Sequence, residues 1–273
     1  MNNSSDRSEA IEDFLATKAE LDKAFQSLHH YSNERFLSKN VLIYRLIKSE
    51  IELIEVLYKI SEFKSIRSQF TIQRAIVDYY SIIYLLTSYN SKEEQNLRYY
   101  LYVLDMLNSR INTHSEIKKE TPGEILNAQN QKTYELVEED KKTRQDVLDI
   151  IRTKKLNLAV NENIINKCNW KFKNPENNGK FSWTQLAENS KIPGRFAIFY
   201  QDYASHFVHG IGSSPIIVDD EKIVDTVNNE TLKFSSILMC LTIKIIINEF
   251  VEETKFVNIN SKIRNKSDCL WNN

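Results

Sequence analysis

The chain has 273 residues, with 36 basic and 37 acidic side chains and a formal charge of −1, a balance that gives no overall pull toward nucleic acid or an anionic membrane and leaves room only for a local basic patch. Its five glycines and four prolines fall well below average usage, so long stretches run without a helix breaker, and the composition predicts an all-α fold: a multi-helix bundle with a charged peripheral helical arm or insertion. Three cysteines, Cys168, Cys240 and Cys269, odd in number and without a C-x-x-C pair, argue against a disulfide framework and a structural zinc site.

The segment before residue 10 is polar and lacks the apolar core of a secretory signal, which makes a cytoplasmic location the expectation. Ser8 is a candidate cap for an amphipathic helix over 8–30 whose apolar residues are Ile11, Leu15, Leu21, Phe25 and Leu28. From Leu37 through Val41, Tyr44, Ile47, Ile51 and Ile54 to Tyr58 the apolar step is three or four, the mark of a long helix with one buried stripe. The stretch Phe70–Ser88 is apolar almost all round and belongs at the centre of a bundle. Ser91-Lys-Glu-Glu94 reads as a capping box opening a helix through Leu101, Leu104 and Leu107 to about residue 111. Thr121-Pro-Gly-Glu124 repeats that signature, but residues 112–165 are charged and thinly apolar, which predicts peripheral helices.

Trp170–Lys180, with Asn-Pro-Glu-Asn-Asn-Gly at its middle, reads as a loop, and Ser182-Trp-Thr-Gln185 as another capping box. Pro193 and Gly194 then lead into an apolar helix over 195–209 that stops at Gly210. Asp219–Glu230 reads as a polar connector. Phe234–Phe250 is apolar but broken by Lys244, Asn248 and Glu249 and too short for a span, so it reads as a buried core helix and no membrane association is expected. The expected organisation is an N-terminal helix over 1–34, a single all-α domain over 35–258 with 112–165 at its periphery, and a polar, mobile tail over 259–273.

Two constellations carry chemistry. Arg74 and Asp78 stand at i,i+4 in the most apolar helix, where an isolated charge would be prohibitively desolvated, so the two form an intrahelical pair or a deliberate polar site. Asp202, Ser205 or His206, and His209 share a helical face at 3.6 residues per turn, with the last histidine near a helix C-terminus that favours its protonated form. A serine-hydrolase triad is disfavoured, because a helical serine bonds back to the preceding turn and no nucleophile elbow is present. His209 is better suited to general acid–base work or to a phosphate contact, with the bland alternative of a capping imidazole. His206 and His209 lack the further ligands of a recognisable metal motif, Gly210-Ile-Gly212 is too short for a dinucleotide fingerprint, and no P-loop occurs; neither metal nor cofactor is expected. The tyrosines at 79, 80, 84, 99, 100 and 102 read as core wedges with polar tips.

Taken together, Gln-Arg74-Ala-Ile-Val-Asp78-Tyr-Tyr and the later Phe-Tyr200-Gln-Asp-Tyr203-Ala-Ser205-His206-Phe-Val-His209-Gly resemble the bacterial helical family named domain of unknown function 5677. That family's pattern has Arg-x-x-x-Glu in the first segment and Tyr-x-x-x-Ser-x-x-x-His in the second; here Asp78 stands for the glutamate and Tyr203 lies two residues before the serine. The resemblance, over roughly 35–255, implies that Arg74, Asp78, Ser205 and His209 meet in one pocket, with Tyr203, Arg195 and His206 as substrate-binding residues; the family carries no assigned activity. More loosely, the chain is similar to the HEPN superfamily of helical ribonucleases, common in toxin–antitoxin and phage-defence systems. That similarity implies metal-independent RNA cleavage at a homodimer interface, with an arginine on the scissile phosphate and a histidine shuttling a proton. Arg195 lies too far before His209 for the superfamily's Arg-x(4–6)-His element, so Arg74 would have to serve. The partner expected on this reading is RNA or a nucleotide. On the alternative, a non-catalytic interaction protein, the same residues are a buried structural network and 112–165 binds a partner protein.

Overall fold

A computed structural model describes residues 3–34, 38–63, 65–120, 127–156, 160–204 and 221–272. The fold is all-α, with no strand among the described residues beyond an isolated bridge between Phe172 and Lys180. The helices are α1 (Asn3–Gln26), α2 (Lys39–Glu62), α3 (Ile66–Thr87), α4 (Lys92–Glu120), α5 (Asn127–Thr153), α6 (Glu162–Asn166), α7 (Trp183–Asn189), α8 (Gly194–Ile198), α9 (Glu221–Glu249), α10 (Val251–Thr254) and α11 (Ser261–Asn272). A π turn over Phe199–Tyr203 continues α8, and a 3₁₀ turn over His29–Asn33 comes after α1.

The chain divides into two compact units, Met1–Tyr89 with Ser182–Asn273, and Asn90–Phe181. This corrects the expected single domain over 35–258 in two respects. The N-terminal helix is part of the first unit, because α1 packs along α9. Its buried seam is Ala10, Phe14, Thr17, Leu21, Ala24 and Leu28, while the expected core residue Leu15 is 45% exposed. Alanines on that seam let two backbones approach, which a scan for large apolar residues overlooks. The second unit begins at Asn90 rather than at 112, because the apolar face of α4, with Leu97, Leu101, Leu104 and Leu107, belongs to the same compact unit as Val147 and Ile151 of α5.

Within the first unit, α3 packs against both α2 and α9, as its all-round apolar surface predicts, and Ile76, Tyr80, Ile83 and Leu86 are fully buried. The α2 stripe is buried at Val41, Tyr44, Ile47, Ile51 and Ile54. Ser8 caps nothing: α1 starts at Asn3, and the Ser8 hydroxyl donates along the helix to Glu12. The expected polar connector over 219–230 is instead the first part of α9 from Glu221, with Val224 and Asn228 buried. The tail expected to be mobile forms α11, whose Ile263 and Ser267 are buried and whose Ser267 hydroxyl donates to the Cys240 carbonyl of α9 at 2.6 Å. Lys244 and Asp268 also bridge the two helices. No described helix is long and apolar enough to cross a membrane.

In the second unit a guanidinium organises the irregular chain. Arg98, fully buried on α4, donates to the carbonyls of Trp170 and Phe172 at 2.8 Å each, to Glu94 at 2.5 Å, and lies 3.8 Å above the Phe172 ring. The Trp170 indole donates to Asp105, and Asn174 and Asn177 turn the chain by accepting from the backbone amides of Glu176 and Gly179. A Cβ at Gly179 would stand 3.0 Å from the Asn177 side chain, so this close approach suits glycine. The loop expected over 170–180 is thus a closed turn pinned to a helix.

Candidate functional site

The chain reaches the first part of the site through two well-formed local signals. Ser182 and Gln185 form a reciprocal capping box, Gln185 N–H to Ser182 Oγ at 3.2 Å and Ser182 N–H to Gln185 Oε1 at 3.1 Å, which starts α7 where the sequence places it. After α7, Ser190 is drawn against α3: the Tyr80 hydroxyl donates to its carbonyl at 2.8 Å and its hydroxyl meets that of Ser81 at 3.3 Å. Pro193 then sits at the N-cap position of α8, whose winding changes at Phe199, so that the Ala204 amide donates to the Phe199 carbonyl five residues back. Such π turns are frequent at functional sites.

A π turn takes one more residue than an α turn, so positions within it are offset by up to roughly 100° from those of an uninterrupted α-helix. The 3.6-residue spacing therefore does not govern Asp202, which lies inside the π turn and accepts from the Thr184 hydroxyl of α7 at 2.7 Å. Its neighbour Gln201, 4% exposed, donates from Nε2 to Asp78 Oδ1 at 2.6 Å. That bond joins the two segments singled out in the sequence. Arg74 and Asp78 are both half-buried on α3. Tyr203 closes the π turn by its backbone, whereas Ser205, His206 and His209 lie outside the described residues.

Beside this junction lies a polar interior that residue types alone did not announce. Gln69 and Gln73, one turn apart on α3, are fully buried, and Gln73 accepts from the Ser235 hydroxyl of α9 at 2.6 Å. Asn228 of α9 donates to the Ser61 carbonyl at 3.1 Å. Both polar atoms of the Gln69 amide, the Gln73 Nε2 and the Gln201 Oε1 have no hydrogen-bond partner among the described residues. Amides buried in that way are uncommon and mark a strained or ligand-related place. The sequence signal was present, since 69, 73, 228 and 235 fall on single helical faces, but glutamine and asparagine at such positions look the same as a solvated stripe until the partner helix is known.

No family model, curated protein or solved structure matches this chain. An aromatic cleft of about 380 Å3 opens in the same unit as the Asp78–Gln201 junction, lined by Phe70, Phe196, Phe199 and Tyr200 with Arg195, Glu230 and Thr231. Its walls are set by ring packing: Tyr200 and Phe196 each stack on the buried Phe234 with centroids 4.7 Å apart, and Phe70 meets Phe199 edge-on at 5.5 Å. Burial pushes the Tyr200 phenol well above its ordinary range, so it stays protonated. Arg195 is exposed at the rim, its guanidinium 4.7 Å from the Phe196 ring centroid. Among the described residues no cluster of His, Cys, Asp and Glu side chains is arranged to hold a metal ion.

Proposed function

We propose that the face where α3 meets the 194–204 helix is the working part of a HEPN-like endoribonuclease of the bacterial defence or stress kind. The observation that carries the proposal is the Gln201–Asp78 hydrogen bond, which draws the Arg74/Asp78 segment against the helix that leads to Ser205 and His209. On this reading Arg74 neutralises the scissile phosphate, and His209 takes the proton from the ribose 2′-hydroxyl as that oxygen attacks phosphorus. The 5′-oxygen leaves and collects a proton, so that a cyclic phosphate and a free 5′-hydroxyl result and no metal is consumed in the step. Asp78, held by Gln201, positions the arginine; Ser205, Tyr203 and His206 contact the substrate, and Arg195 with the aromatic cleft accommodates a neighbouring nucleotide.

The test is RNA integrity after induced expression of the wild type beside His209→Ala, repeated in vitro with a chelator. Loss of cleavage in the variant with unchanged circular dichroism, and chelator-insensitive cleavage by the wild type, are the expected results. A second reading is favoured by the buried bonds among Gln73, Ser235, Asp78 and Gln201, which fix helix register as a structural network does. If the wild type leaves RNA intact, or His209→Ala cleaves as well as the wild type, the non-catalytic interaction protein takes the place of the nuclease.

A further inference from the structure

The near-zero total charge hides a strong local surplus in the second unit. Between 152 and 180, seven lysines and arginines stand against two glutamates, Glu162 and Glu176. The fold gathers part of that charge: Lys167, Lys171 and Lys180 line one cleft of about 420 Å3 together with Asn169 and Asn178. A second cleft of about 410 Å3 shares Cys168 with the first and carries Arg144 and Arg152 beside Glu162, so the two adjoining clefts form a predominantly basic track. Lys167, Lys173 and Lys180 are exposed and have no carboxylate partner among the described residues. The carboxylate that lines the first cleft, Asp105, accepts from the Trp170 indole.

We propose that this track is a nucleic-acid-binding surface that takes the phosphate backbone. Four observations select that ligand chemistry. The charge is presented on a fixed platform, because Arg98 clamps the turn through two carbonyls and the Phe172–Lys180 bridge closes it. Lys167 and Lys180 of the first cleft and Lys173 on the same turn are open to solvent, and the adjoining cleft adds Arg144 and Arg152, which suits successive phosphates of a chain and releases counterions as each is neutralised. Asn178 lines the first cleft, and with its carbonyl and Oδ1 accepting from Asn169, its own side-chain amide supplies a donor of the kind that positions a backbone. Trp170 is only 6% exposed and packs edge-on against Tyr102, so no free ring is offered for base stacking and binding is indifferent to base identity. The surface requires none of the residues assigned to RNA cleavage, and it stands or falls apart from that assignment.

The experiment is fluorescence anisotropy of the full-length protein with a labelled single-stranded oligonucleotide of about 20 nucleotides, in several base compositions and over a salt series. Replacing Lys167, Lys171, Lys173 and Lys180 together by Gln should weaken binding at least about tenfold at moderate salt and reduce the slope of log K against log salt by about 3, near 0.7 per lost contact. The matching Arg quadruple variant should keep both affinity and slope. Removing four charges from the first unit, at Lys48, Lys233, Lys255 and Lys262, should leave binding unchanged. The proposal is overturned if the wild type shows no salt-dependent binding, if the Gln variant binds as tightly as the wild type, or if the first-unit variant loses as much. It is also overturned if inorganic phosphate at matched ionic strength displaces the oligonucleotide completely, which would make the track a site for small anions.

Discussion

At the scale of single residues, two buried ionisable groups decide more than their number suggests. Arg98 satisfies two backbone carbonyls and the Glu94 carboxylate, so Arg98→Met leaves all three facing an apolar stem. Stranding partners in that way costs about 3–5 kcal/mol. Lys141→Met, at an exposed pair with Glu138, should cost under about 1 kcal/mol. Urea midpoints of the two variants compare them directly, and equal small shifts would mean the turn does not depend on its clamp. Glu50 is the other case. Its carboxyl is fully buried on α2, accepts from the Thr242 hydroxyl at 2.9 Å, and has no partner at Oε2 among the described residues. Burial lifts its pKa from 4.5 to about 8, so the folded protein holds a proton that the unfolded chain has released. Stability should therefore fall as pH rises from about 4.5 through about 8. Glu50→Gln keeps the shape and removes the titration, and denaturation at a series of pH values should show that limb flattened, with the variant the more stable at the alkaline end.

At the scale of elements, the sequence was most legible where the signal is local. The Ser182 box, the start of α8 at Pro193 and the apolar stripes of α2 and α3 arise from spacing and capping within one turn. What was hidden depends on a distant partner. The seam of α1 includes alanines and a threonine, and α11 has a charged composition, yet both bury a face because α9 lies there to receive it. The site shows the same division: Arg74 and Asp78 could be picked out as charges in an apolar helix, but Gln201, Gln73 and Ser235 acquire meaning only once α3 has its neighbours. The packing of α11 has a measurable outcome. Cys240 is fully buried on α9, and burial raises its thiol pKa to about 11, whereas Cys269 on α11 is exposed. A thiol reagent at neutral pH should label Cys269 alone in the native protein, and Cys269→Ser should abolish fast labelling. Truncation after 258 should then expose Cys240 to the reagent; continued protection would show that α11 contributes nothing to its shielding.

At the scale of the whole molecule, two units with separate cores should not melt as one. Leu97, Leu101, Leu104, Val147 and Ile151 are buried in one of them, and Ile47, Ile83, Phe234 and Leu238 in the other. Calorimetry of the full chain should give a calorimetric enthalpy above the van't Hoff value, and Arg98→Met should lower one transition while leaving the other in place. A single transition displaced as a whole by that substitution would show that the units unfold together. Charge patterning marks only the 112–165 part of the second unit and not its boundary at Asn90, which becomes visible through which apolar faces find each other.

The first unit is discontinuous, and that has a temporal meaning during synthesis. Its helices α1 to α3 leave the ribosome early, but α9, which covers α1 and packs on α3, ends at Glu249. At translation rates of 5–20 residues per second, those apolar faces wait on the order of 10–30 s for their complement. The contiguous second unit, made in the interval, has all of its own parts at hand and can close first. The nascent chain is thus most vulnerable to aggregation and to chaperone capture while its later-folding half is still incomplete, and a ribosome stalled before α9 would hold a folded insertion between two unfinished ends.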